Sequence, residues 1–167
     1  MGAQTAISLE QYWKTRWEYP PEYVHGELVE RPMPTRKHGI VQAEFSHRLH
    51  ALLGPLGGWS GAAVHCYLDG ELLRIPDVVA YGPGSPDEPY PTTPPLVVIE
   101  INSPGEALSD IVGKCREYHR WGAQHIWVVD PQTNDLYSFD GNRLQGTDAL
   151  HLPEFNTTFS AQEIFSA

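Results

Sequence analysis

With 167 residues, 41% hydrophobic content and only two cysteines, Cys66 and Cys115, the chain suits one domain over residues 1–167 whose core buries roughly 70% of the unfolded surface. A disulfide framework and a cysteine-based zinc site are excluded, and the formal net charge of -10, from 11 Lys+Arg against 21 Asp+Glu, confines any polyanion contact to a local patch. No apolar run approaches the roughly 18 residues of a membrane span and Met1-Gly2-Ala3-Gln4 lacks the regions of a signal peptide, so a cytoplasmic protein without membrane contact is expected.

Ser8 ahead of Leu9-Glu10-Gln11-Tyr12-Trp13 predicts a capped short helix, ended by Tyr19-Pro20-Pro21. Tyr23 to Glu30 carries a strand pattern broken at Gly26 and closed by Pro32 and Pro34. From His38 to Leu53, Val41, Phe45, Leu49 and Leu52 recur at helical spacing, which turns one stripe of a helix toward a core. Val64 to Tyr81 reads as two strands about Asp69-Gly70, the second running into Pro76-Asp77. Residues 82–95 hold six prolines and no periodicity, a long loop.

Leu96 to Asn102 is a near-continuous apolar run, as expected of a strand covered on both faces. A helix over about 108–121 stops at Gly122, and His125 to Asp130 forms another buried strand closed by Pro131. Leu136 to Leu144 predicts a hairpin about Asp140-Gly141, and Ile164-Phe165 a docked terminal turn. The strand-helix-strand unit from Leu96 to Val129 calls for parallel neighbours and a right-handed crossover. The fold class is therefore α/β, with a mixed sheet flanked by helices.

Two strand-like segments each carry one acid: Asp77 after Pro76, and Glu100 inside Val97-Val98-Ile99-Glu100-Ile101. A lone carboxylate in a dry interior costs several kcal/mol unless a cation compensates it. If the two strands are neighbours the acids meet, and oxygen ligation of that kind suits Mg²⁺ or Mn²⁺. Period two puts Glu100 on one face with Val98 and Asn102. On the following helix Ile111, Cys115, Tyr118 and Gly122 form the core stripe, and Lys114 projects at its edge. Lys114 either pairs with Asp110, four residues earlier, or leans over the sheet to serve chemistry at the acids.

These residues carry a resemblance. His25-Gly26-Glu27-Leu28, His38, Pro76-Asp77 and Val98-Ile99-Glu100-Ile101-Asn102-Ser103-Pro104 follow in order, then Asp110, Lys114, Tyr118, Gly122, Ile126-Trp127-Val128-Val129-Asp130-Pro131 and Leu152-Pro153-Glu154-Phe155. The ordered set resembles the Uma-type family of bacterial restriction endonucleases, within the PD-(D/E)XK nuclease superfamily. The resemblance implies a restriction-endonuclease-like core and metal-dependent hydrolysis of DNA phosphodiesters. Asp77 and Glu100 would be metal ligands, with the main-chain carbonyl of Ile101 as a third. The superfamily pattern places lysine two residues after the second acid, where this chain has Asn102, and the resemblance assigns the missing role to Lys114. Glu27 matches an early-strand acid and would be an additional ligand or hydrogen-bond partner, or else a surface residue.

Among other candidates, His38 at the start of a helix would contact phosphate or serve as a cap or surface residue, and Arg36 and Lys37 belong to a basic run that is either a nucleic-acid patch or ordinary solvated surface charge. His47 and His50 lack a third ligand, Cys115 points into the core, and Tyr90 would stack on a base or pack. Symmetric cleavage of duplex DNA favours a homodimer. The acidic balance supports two alternatives: a binding module that has kept the nuclease scaffold, and a metal-dependent hydrolase of a small phosphate ester.

Overall fold

A computed structural model describes residues 6–166. Ser8 caps helix α1 (Leu9–Lys14) in a capping box with Gln11, and a hairpin follows, β1 (Glu22–Val24) and β2 (Glu27–Val29). Its turn uses His25 and Gly26 at positive φ. Helix α2 (Arg36–Leu53) begins two residues earlier than the periodicity predicts because Thr35 is its N-cap. Strands β3 (Trp59–Ala62), β4 (Cys66–Asp69), β5 (Leu72–Arg74), β6 (Val78–Tyr81) and β7 (Val97–Ile101) lead to helix α3 (Leu108–Trp121). Strands β8 (His125–Asp130), β9 (Asp135–Phe139), β10 (Leu144–Thr147), β11 (Ala149–Leu152) and β12 (Thr157–Ser160) precede helix α4 (Ala161–Phe165).

The main sheet has the order β10-β9-β8-β7-β6-β3 and is mixed: β7 and β8 are parallel, as their helical connection requires, and the other pairs are antiparallel. One face, bearing Val97, Ile99, Ile101 and Trp127, packs on Phe45 and Leu49 of α2, with Leu150, Phe159 and Ile164 completing that core. The other, bearing Val79, Val98 and Val128, packs on Ile111, Cys115 and Tyr118 of α3. The alternation of β7 is thus buried on both sides, and the expected stripes of α2 and α3 face the sheet. At the end of α2, Leu53 is enclosed and Leu52 only partly so.

Two features depart from the sequence reading. The segment around Asp69-Gly70 does not run into Pro76-Asp77 as one strand. Proline has no N–H and a fixed φ, so β5 stops at Arg74 and the chain crosses into the main sheet at Val78. Strands β4 and β5 belong with β1 and β2 to a second sheet, β2-β1-β5-β4. The β11–β12 hairpin and β3 carry weak alternation and escape a pattern search.

Phe45 lies 6.3 Å from Trp127 and 6.1 Å from Phe159, ring centre to centre, and has no exposed surface. Phe45→Ala is expected to cost about 3–5 kcal/mol, read as a shift in the urea midpoint; a loss below about 1 kcal/mol would show that this face of α2 is not core.

Candidate functional site

Asp77 sits at the crossing between the two sheets, not within a strand. The register Val78↔Ile99 and Val79↔Val98 between β6 and β7 brings the residue before β6 beside the end of β7. There Asp77 Oδ2 accepts the Ile101 N–H at 2.7 Å. Its Oδ1 lies 3.1 Å from His38 Nε2, and its carbonyl accepts from the Ala63 N–H at 3.1 Å and from Gln42 Nε2 at 2.9 Å. Glu100, on β7, is also buried. The Tyr118 hydroxyl of α3 donates to Glu100 Oε1, while Oε2 has Lys114 Nζ at 3.9 Å, too far for a hydrogen bond.

Lys114 approaches a third acid more closely. Its Nζ is 3.4 Å from Glu22 Oε2, and Glu22, at the start of β1, has no exposed surface. Glu22 accepts from Arg74 Nη1 at 2.8 Å and from the Ile75 N–H at 2.9 Å. The same Arg74 forks onto Glu117 of α3 at 2.7 and 3.0 Å. Burial disfavours the ionised form of Glu22, but Lys114, Arg74 and the Ile75 N–H outweigh it and hold the carboxyl below its ordinary range. Burial likewise works against the Lys114 ammonium, and the carboxylates of Glu100, Glu22 and Glu106 overcome it, so Lys114 stays protonated.

Glu100 fares differently. Burial pushes its carboxyl up to about 8; Lys114 opposes the rise, and Asp77 and Glu22 add to it. Glu106, which accepts the Ser103 N–H at 3.2 Å, is also raised by burial. Asp77, Glu100, Ile101 and Lys114 line one pocket with Tyr19 and Arg31. Its cavity volume is about 20 Å³, room for about one water-sized occupant. A wider groove of about 480 Å³ opens beside it past Lys114 and Glu106.

Several sequence candidates fall elsewhere. Glu27 is exposed on β2 and does not line the pocket; the acid of this hairpin that turns inward is Glu22. His38 is neither a surface residue nor the cap. It is buried against Asp77, because Thr35 caps the helix and the following turn rotates His38 inward. Asn102 donates to Asp130 Oδ2 at 3.0 Å, tying β7 to β8. Arg36 and Lys37 are exposed and line a separate cavity with Pro131 and Phe165. Among the described residues Lys114 makes no ion pair with Asp110, and Tyr90 packs on Trp13 at 4.6 Å.

The sequence reading passed over Glu22, Arg74 and Tyr118 as polar members of the site. Two signals were available. Pro21-Glu22-Tyr23-Val24 repeats the proline-acid-apolar order of Pro76-Asp77-Val78-Val79, and Arg74 interrupts the apolar run Leu72-Leu73-Arg74-Ile75 as Glu100 interrupts its own.

A family model described as "Uma2: Putative restriction endonuclease" matches residues 9–166. The chain belongs to the Uma2 family. A solved structure described as a "putative nuclease belonging to DUF820 from Anabaena variabilis ATCC 29413" shares the fold at 20% identity, with a TM-score of 0.83 over 96% of this chain and 98% of that one. Among curated proteins none matches. This Uma2 chain thus has the mixed α/β architecture of that structure, and among its described residues no helix is long and apolar enough to cross a membrane.

The donor set can be tested against a divalent ion. Among the described residues no three His, Cys, Asp or Glu side chains gather as a metal cluster. The Uma2 pocket is lined by the buried carboxylates of Asp77 and Glu100, by the partly buried Glu106 and by Ile101. Mg²⁺ characteristically takes one or two carboxylates and completes its shell with water and substrate oxygens. Among the described residues Glu100 Oε2 has no hydrogen-bond donor, and its carboxyl, raised first by burial, would be drawn back down by a bound cation. The residues fit a hard divalent cation.

Two outcomes are expected. Removing Glu22 leaves Arg74 and Lys114 short of a buried counter-charge, so Glu22→Ala should cost about 3–5 kcal/mol, measured by urea denaturation. For Glu100, a folded value near 8 against the ordinary 4.5 means the folded state holds a proton that the unfolded chain has released. Its contribution to stability therefore falls as pH rises through that window. Metal-free Glu100→Gln should melt higher than the wild type at about pH 9, with the gain shrinking toward about pH 4.5; a pH-independent difference would contradict the assigned burial of charge.

Proposed function

We propose that this protein is a divalent-metal-dependent endonuclease that hydrolyses DNA phosphodiesters. The observation that carries the reading is the convergence of Asp77, Glu100 and Lys114, from a sheet crossing, a strand and a helix, on one pocket. Asp77, Glu100 and the carbonyl of Ile101 would hold Mg²⁺ or Mn²⁺. A bound ion of this kind supplies Lewis-acid polarisation of a phosphoryl oxygen and a water of lowered pKa.

The remaining work falls to this chain's own groups. Lys114 keeps its proton beside Glu22 and Glu100 and would offer its ammonium to the negative charge that builds on the phosphoryl oxygens as water adds and the bond to the leaving oxygen breaks. Tyr118 keeps its phenol protonated through burial and fixes one oxygen of Glu100 as a donor. The contacts from Ile101 N–H and His38 orient Asp77. Arg36 and Lys37, in the first turn of α2, would meet flanking phosphates, and cutting both strands of a duplex calls for two copies.

Mn²⁺ titration calorimetry should detect one site that disappears in Asp77→Ala and Glu100→Ala. Below about pH 8 that binding should release a proton, since the ion requires the ionised carboxylate. Plasmid nicking in Mg²⁺ or Mn²⁺ should stop with chelator, and fall by about 10²–10³ in Lys114→Ala. Metal binding that survives both acid substitutions would overturn the assignment, and hydrolysis of nucleotides without plasmid cleavage would favour a small phosphate ester as substrate.

A further inference from the structure

The nuclease reading leaves one matter open: which group attracts the substrate's phosphate. Lys114 serves only as charge builds during the reaction, because in the resting pocket Glu22 and Glu100 already take up its charge. Arg74 is committed to Glu22 and Glu117. Arg36 and Lys37 border a different cavity.

Arg31 differs from all of these. It lines the pocket of Asp77, Glu100 and Lys114, and among the described residues no carboxylate lies within ion-pair distance of it. Its guanidinium carbon stands 4.9 Å over the ring of Tyr19, which lines the same pocket. The Tyr19 hydroxyl donates to the Pro32 carbonyl at 3.3 Å, fixing the ring against the segment that carries the arginine. A guanidinium that makes no ion pair among the described residues keeps an N–H edge for a ligand. That edge matches two oxygens of a phosphate, as an ammonium does not.

We propose that Arg31, seated on Tyr19 at the pocket, is the substrate-binding residue that clamps a non-bridging pair of phosphate oxygens at the scissile phosphodiester. This deepens the nuclease reading and rests on it for the identity of the substrate. Its chemistry is narrower: a guanidinium without an ion-pair partner among the described residues takes an anion beside Asp77, Glu100 and Glu106, which would otherwise repel it. The pocket of this acidic protein thereby acquires the local positive charge that its overall composition denies it.

The test compares wild type, Arg31→Ala and Arg31→Lys in three measurements. These are anisotropy of a labelled duplex oligonucleotide with Ca²⁺ across a salt series, titration with inorganic phosphate, and plasmid nicking with Mn²⁺. Arg31→Ala should weaken oligonucleotide binding about tenfold and reduce the slope of log affinity against log salt by about 0.9. Phosphate uptake should be lost and KM should rise more than kcat falls. Arg31→Lys should recover part of the affinity, and both variants should melt as the wild type does. Unchanged affinity and salt slope in Arg31→Ala would overturn the inference while plasmid nicking keeps the nuclease reading alive. If the wild type fails to nick plasmid yet takes up phosphate only with Arg31 present, the nuclease reading falls and the clamp stands. A wild type that binds neither phosphate nor oligonucleotide overturns the clamp.

Discussion

Enclosing Glu22 without any exposed surface obliges the fold to deliver cations to it. Removing a carboxylate from water costs several kcal/mol even after relaxation, and only close partners with good geometry offset that. Arg74 comes from β5, Lys114 from α3 and the Ile75 N–H from the crossing between sheets. A single acid on the first hairpin thus ties the smaller sheet to α3, which packs on the main one. It also fixes the ammonium beside Glu100 and anchors the backbone two residues before Asp77.

That arrangement distributes charge unevenly. Glu22 is compensated and held ionised; Glu100 is not, and its carboxyl rises because burial and two neighbouring acids outweigh one lysine. A protein selected only for stability would place an amide or an apolar residue at position 100. A carboxyl kept there against its solvation, with one oxygen fixed by Tyr118 and the other without a donor among the described residues, is the arrangement expected where a cationic ligand would offset the burial. Stability and ligand capacity oppose each other at this residue.

The acidic surface and a polyanionic substrate are compatible when attraction is local. Screening limits surface charges to a reach of about 10 Å or less at ordinary ionic strength, so a guanidinium at the pocket outweighs distant carboxylates for a phosphate already in place. Association with a polyanion would then lack long-range electrostatic steering, which makes encounter slow.

Much of this was legible in one dimension. Helix α3, the buried strands β7 and β8 and their parallel pairing follow from apolar periodicity and from the length of the connection, which are local properties of the chain. Asp77, Glu100 and Lys114 stood out because charge inside or beside an apolar run is costly wherever it lies. The partner each charge finds was not legible, since pairing across tens of residues depends on where the strands sit. Lys114 faces Glu22 and not Asp110; His38 faces Asp77 and not solvent; the hairpin's inward acid is Glu22 and not Glu27. The sequence by itself determined which residues are expensive to bury. The tertiary structure alone decided how that expense is offset, because opposite charges stabilise one another only over the few ångströms that folding sets.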